Sequence, residues 1–520
     1  MKFDKKIVLI LTAVVFLHAL SNFYILHQTR LAYGGDKANY IDSSVFFNKL
    51  LRQGSYGEVF GEFFRGRGYR KLFPLIGGLW LTLLGRSGPK DINLMILLTN
   101  VVFLSVLLFS VFKIGAILFN QKAGLLAAAL LSFSPIIFGH SRVSLVDLPL
   151  AAMVALSLWC LLKTDNFKSL LFSLVTGAVF ILAQFTRETA AVFITPPFLY
   201  YAFNSLSIRE YRRQRILNFA VACLLWVVPV IITYNSQENQ GIADVFWQKT
   251  LILAHQNEFF YYLTRLPIYY LGWLFFIALL PLILRYGINI KKRDVFLALW
   301  LFVPLLVFSL SPNRITRFLI PSLPALFLLL SFELFHSFAV VRRVYAAVLI
   351  AVAVLQYAAF SFYPKSPLFT TGEDDEWGLL CVKQDEDFYS AQELIRIFKS
   401  ENTGTDKENK VISTFDLPFL CSVHSRFKMD DMPFFIEMPQ GGDIADTATS
   451  AASGKNWQEY LLTADYVLDK TGDLGNTGYY ENIAGEFKKS LEANYDKFKR
   501  IASFQTKIGE FIYVYKKIKL

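Results

Sequence analysis

Apolar residues in this chain fall in long, nearly continuous runs, and that feature limits its folding options more than any other. Residues 7–26, 92–112, 216–234 and 266–284 approach or exceed the roughly 20 apolar residues that a helix needs to cross a bilayer. A helix buried in a soluble core would be shorter or would carry a polar stripe. Only 18% of the residues are charged, against roughly 25% in soluble domains. The chain therefore reads as a polytopic α-helical membrane protein.

The net charge of +11 is split along the chain. Residues 1–360 carry 33 Lys and Arg against 15 Asp and Glu, whereas residues 361–520 carry 19 against 26. The positive charge belongs to the membrane part, where cytoplasmic loops favour Lys and Arg. No basic, aromatic-interleaved soluble module accompanies it, so nucleic-acid binding is set aside. Hydropathy predicts about 11 transmembrane helices, starting near Ile7, Ile92, Gly124, Leu148, Leu170, Thr189, Ile216, Leu266, Val295, Phe318 and Val344. The basic connections share one face if the N-terminus is cytoplasmic. Residues 1–360 then form the membrane domain, with a large external first loop at 28–91, and 361–520 form an extracytoplasmic α/β domain. Within the loop, the apolar stretch 73–85 is too short to cross and is expected to lie along the interface. In the C-terminal part, 410–415 and 466–469 read as strands, 391–399 as a helix and 501–515 as a hairpin. Cys381 and Cys421 would suit one disulfide in an oxidising compartment. The first apolar run follows Lys2, Lys5 and Lys6 without an evident cleavage site, so it is read as a retained helix.

Few acidic residues are expected at the external membrane surface. Asp36 follows the first helix, and Asp147 begins the fourth span. Each has a plain structural role open to it, as a turn residue beside glycines or as an acid at a helix N-terminus. Ionisable groups at membrane depth are also functional candidates. The first loop holds ten Lys and Arg, including Arg65, Arg67, Arg70 and Lys71. They suit either anionic lipid head groups or the phosphate of a lipid-linked donor, since guanidinium groups bind phosphate bidentately. Arg187 and Glu188 separate the fifth and sixth spans and either pair or leave Arg187 for a phosphate. Arg314 and Arg317 precede the tenth span on the same face. His18, His27 and His140 follow no metal-ligand spacing, and packing roles suit them better. There is no P-loop, nucleophile elbow or dinucleotide fingerprint.

Taken in order, these pieces resemble the GT-C class of membrane glycosyltransferases. Within it they are similar to the bacterial branch related to protein O-mannosyltransferases and the aminoarabinose transferase of lipid A. The matching segments are Gly35-Asp36, Arg70-Lys71-Leu72-Phe73-Pro74, Arg142 through Asp147 to Pro149, Gly177 through Arg187, and Arg317-Phe318 with Pro321 and Pro324. They cover roughly residues 1–335. Asp36 is followed by Lys37 where many relatives carry Asp-Glu, and the usual Lys-Pro-Pro is only loosely met. The resemblance implies a GT-C-like bundle in a bacterial inner membrane, bound to membrane lipids. The implied activity is inverting transfer of a sugar from a polyprenyl-phosphate donor to a lipid, glycan or protein acceptor. Asp36 and Asp147 would be the catalytic acids, with Asp36 as general base. Arg70, Lys71, Arg142, Arg187, Arg314 and Arg317 would hold the donor phosphate. No cofactor is certain, and a divalent cation at Asp36 and Asp147 is left open. A flippase for lipid-linked sugars and a noncatalytic assembly protein are the rival readings.

Overall fold

The computed structural model describes residues 5–28, 36–65, 71–85, 89–234, 260–288, 295–311 and 314–362 of the helical part. Beyond it, residues 396–397, 400, 409–413, 434–437, 461–462, 464–471, 488–505 and 511–518 are described. The chain divides into two compact units, one built mainly from residues 1–28, 43–87 and 91–382, the other from 29–42, 88–90 and 383–520.

Along the helical part, α1 (Lys5–Gln28) is followed by three helices in the first loop: α2 (Asp36–Arg52), α3 (Tyr56–Arg65) and α4 (Leu72–Leu84). At 13 residues α4 is about 20 Å long, short of the hydrocarbon thickness. Its buried face is Leu72, Phe73, Gly77, Gly78 and Leu81, so the apolar stretch packs against protein. Helices α5 (Pro89–Leu118), α6 (Gln121–Ser132), α7 (Pro135–His140), α8 (Asp147–Lys163), α9 (Leu170–Thr186), α10 (Ala190–Leu206) and α11 (Arg212–Tyr234) follow. Then come α12 (Tyr261–Arg265), a π-helical turn (Leu266–Tyr270), α13 (Trp273–Ile288), α14 (Val295–Leu310), a 3-10 segment (Thr316–Ser322), α15 (Leu323–Phe335) and α16 (Ala339–Phe362). Among the described residues, five helices are long and apolar enough to cross a membrane. Four shorter apolar helices stand beside them: Leu72–Leu84, Leu170–Thr186, Trp273–Arg285 and Val295–Leu310.

Helices start later than hydropathy suggests in two places, for local reasons. The run from Leu266 opens with the π turn, and Gly272 takes a left-handed φ of +74° that a side chain would resist. Gln356 of α16 fills that break: its Nε2 donates to the Leu271 carbonyl at 2.6 Å. Near Phe318 the backbone forms a 3-10 segment that contains Pro321, and Pro324 sits in the first turn of α15, where a proline is tolerated.

Helices α8, α9 and α11 pack side by side, α10 lies on α14, and α6 lies on α15. Close approach at the α5–α6 turn depends on two glycines. A Cβ on Gly124 would sit 2.4 Å from the Phe112 carbonyl oxygen, and one on Gly115 2.4 Å from the Gly124 Cα. Small residues at such crossings let membrane helices approach. Gly124→Ala is expected to lower stability by about 1–3 kcal/mol through overpacking. Thermal unfolding of the detergent-solubilised protein measures this.

The second unit carries a five-stranded sheet in the order β2-β1-β3-β5-β4. Its strands are β1 (Asn409–Ser413), β2 (Phe434–Glu437), β3 (Tyr466–Lys470), β4 (Phe498–Gln505) and β5 (Phe511–Lys517). Strand β1 pairs parallel with β2 and β3, while β3–β5 and β5–β4 are antiparallel. Leu461, Ala464, Val467, Leu491 and Phe498 form its core. The strands expected near 410 and 466 and the terminal hairpin are all in this sheet. Phe434–Glu437 is an additional strand; it is too short to stand out in hydropathy. Cys381 and Cys421 lie outside the described residues, as does most of 391–399.

Candidate active site around Asp147

The chain between α7 and α8 is a series of tight turns that ends where Asp147 begins α8. Pro149 sits in the first helical turn, where a missing N–H costs nothing. The helix N-terminus favours the carboxylate. Asp147 is fully buried, and a buried carboxylate requires partners of opposite charge.

Those partners come from distant parts of the sequence. Helix α9 ends at Arg187, whose backbone turns extended (φ −168°, ψ 136°) while Nη1 forms an ion pair with Asp147 Oδ1. The guanidinium also lies over the Phe318 ring, 4.5 Å from its centre. Arg317, in the 3-10 segment, brings Nη1 to 3.7 Å from Asp147 Oδ2. His140, the last residue of α7, places Nδ1 at 3.9 Å from the same oxygen. Thus two guanidinium groups and an imidazole surround one carboxylate. Glu188, beside Arg187, is exposed.

Lys71 reaches this rim through its backbone. Its N–H donates to the Phe185 carbonyl at 3.0 Å, two residues before Arg187, and its ammonium pairs with Glu62. Phe63 and Phe64 pack edge-on against Phe185, with centroids 5.0 and 5.3 Å away. Helix α3 and the start of α4 are thereby fastened to the end of α9.

Arg142 is placed differently. Its Nε donates to Asn22 Oδ1 at 3.0 Å and its Nη2 to Ser361 Oγ at 2.5 Å, and the guanidinium stacks over Phe138 and Tyr357. These contacts join α1 and α16. Arg314 is half-buried. Asp36 opens α2, but its side chain lies outside the described residues, as does Arg70 entirely.

A group of tyrosines that the sequence did not single out lines the same region. The Tyr261 hydroxyl lies 3.3 Å from Thr316 Oγ1, and the Tyr270 hydroxyl donates to the Thr316 carbonyl. Tyr262 is buried beside them, and Arg265 stacks 3.8 Å from the centre of the Tyr261 ring. The paired tyrosines of 261–262 and 269–270, flanking an arginine, were the available signal.

The polar environment of Asp147 bears on a metal. With two guanidinium groups within 4 Å, the carboxylate offers little to a divalent cation, because the added charges would repel. Among the described residues no group of three or more His, Cys, Asp or Glu gathers into a metal site.

Residues 77–233 match the family described as dolichyl-phosphate-mannose-protein mannosyltransferase. That segment holds Asp147 and Arg187. The undecaprenyl phosphate-alpha-4-amino-4-deoxy-L-arabinose arabinosyl transferase of Pseudomonas aeruginosa (strain UCBPP-PA14) is 25% identical over 276 residues, covering 50% of this chain and 49% of the relative. The chain thus spans about half the length of the curated relatives it matches. The crystal structure of ArnT from Cupriavidus metallidurans bound to undecaprenyl phosphate superposes with a TM-score of 0.61 at 13% identity, covering 98% of this chain and 97% of that one. Archaeal oligosaccharyltransferase AglB from Archaeoglobus fulgidus, in complex with an inhibitory peptide and a dolichol-phosphate, gives a TM-score of 0.53 at 12% identity, with 97% and 74% covered. The apolar helices make the chain an integral membrane protein, and it has the GT-C fold of these structures.

Proposed function

We propose that this protein is a glycosyltransferase that moves a sugar from a polyprenyl-phosphate donor to an acceptor hydroxyl at the extracytoplasmic membrane face. The observation that carries this reading is the sharing of buried Asp147 by Arg187 and Arg317, at a rim to which Lys71 is also tied. Preorganised cations in a site shielded from water stabilise charge far better than cations in bulk water. The charge that develops in this transfer is on the departing phosphate. The relatives and neighbours named above act on or hold polyprenyl phosphates, which supports the donor class.

In the transfer, the acceptor oxygen attacks the anomeric carbon as the bond from that carbon to the phosphate oxygen breaks. The configuration inverts, and the lipid phosphate leaves with the bonding pair. Lys71, Arg187 and Arg317 balance its charge, with Arg70 and Arg314 assigned to the same phosphate from sequence. Asp36 accepts the acceptor's proton. Asp147 holds the two guanidinium groups in position, and any divalent cation belongs with Asp36 rather than with Asp147.

Arg317→Lys keeps a positive charge but loses the planar fork. It is expected to cut transfer about 10- to 100-fold, the range a misplaced positioning group produces, with little loss of folded protein. The functional test is incubation of purified protein with radiolabelled polyprenyl-phosphate sugars and membrane extract. Label moved into lipid, glycan or protein supports the transferase. Lipid-linked sugar crossing vesicle membranes without bond cleavage would show the flippase instead.

A further inference from the structure

Far from Asp147, the structure holds an apolar groove with a basic end. It lies between α1 and α5, has a volume of about 230 Å³, and is lined by Val8, Leu11 and Val15 of α1 and by Ser105, Phe109 and Phe112 of α5. Both helices are long and apolar enough to cross a membrane. Its polar side chains are Thr12 and Ser105, and the Ser105 hydroxyl is turned to the Val101 carbonyl at 2.7 Å within α5.

The groove's aromatic wall continues directly into positive charge. Lys113 Nζ lies 5.4 Å from the centre of the Phe109 ring and 5.7 Å from that of Phe112. Lys163, at the end of α8, sits over Phe172 at 5.2 Å. Trp159, one turn earlier on α8, packs edge-on to Phe109 at 5.4 Å, as aromatic side chains do at membrane surfaces. Lys163 ends the helix that Asp147 begins, so about 24 Å of helix separates the two. The groove is therefore not the donor-phosphate rim.

We infer that this groove and its two lysines bind one anionic phospholipid from the leaflet on their side of the membrane, the cytoplasmic leaflet by the charge rule. An acyl chain fills the groove between α1 and α5, and the phosphate lies at Lys113 and Lys163. An apolar groove in a membrane-facing surface loses dispersion contacts unless a hydrocarbon chain fills it. A phosphate at the basic end of the groove matches the charge of the lysines there. Lysines near a membrane surface contribute about fivefold each to anionic-lipid affinity.

Native mass spectrometry of the full chain, released from detergent with dioleoyl phosphatidylglycerol or dioleoyl phosphatidylcholine, tests the proposal. Phosphatidylglycerol is expected to be retained over phosphatidylcholine. Lys163→Gln, at an exposed position that leaves folding intact, should weaken its retention about fivefold, and the double variant with Lys113→Gln about 25-fold. Lys163→Arg should keep it. Ser105→Phe, which fills the groove, should lower retention of both lipids. Equal retention of the two lipids, or no change in Lys163→Gln or Ser105→Phe, overturns the proposal. So does displacement of phosphatidylglycerol by one equivalent of undecaprenyl phosphate, which would assign the groove to the donor's tail.

Discussion

Asp147→Asn should reduce sugar transfer by about 100- to 1000-fold, the range for removal of a group that organises transition-state electrostatics. It should also destabilise the fold by about 3–5 kcal/mol, the cost of breaking a buried ion pair from one side. The substitution preserves shape and removes only the negative charge that Arg187 and Arg317 share. These two losses have different origins and can be separated. Adding Arg187→Gln removes one of the cations left without its counterion, so the double variant should recover part of the stability. It should recover no activity, because a phosphate ligand has also gone. Chemical unfolding in detergent and label transfer, measured on both single variants and the double, give the two cycles. Wild-type turnover in Asp147→Asn would remove this carboxylate from the mechanism.

Asp36→Asn should abolish detectable transfer while leaving donor binding and folding close to wild type. A general base contributes about 100- to 10,000-fold, and an amide cannot accept the acceptor's proton. Asp36 begins α2, and loss of a carboxylate at a helix N-terminus costs about 0.3–1 kcal/mol. The measurements are label transfer and retention of a radiolabelled polyprenyl-phosphate sugar by the immobilised protein. Loss of both together would indicate a binding role for Asp36 rather than proton transfer. Asp147→Asn and Asp36→Asn thus differ in stability: the first unfolds more easily and the second does not.

The sequence alone determined that this is a membrane protein, because only long apolar runs are stable across a hydrocarbon layer, and run length survives without any knowledge of packing. It also marked Asp147, Arg187 and Arg317 individually, since charge is scarce beside such runs and each charged residue there is conspicuous. The strands at 409–413 and 466–470 and the β4–β5 pair were legible from alternation and turn residues. What only the tertiary structure decided is which charges meet. Arg142, five residues from Asp147 in sequence, bonds to Asn22 and Ser361, whereas Arg317, 170 positions away, lies against the carboxylate. The turns after α7 direct the Arg142 side chain toward α1 and α16, and Arg317 lies in a 3-10 segment packed beside α8. His140 and the tyrosines at 261, 262 and 270 were obscure for the same reason. An ion pair depends on distance in space, and hydropathy and spacing report only position along the chain.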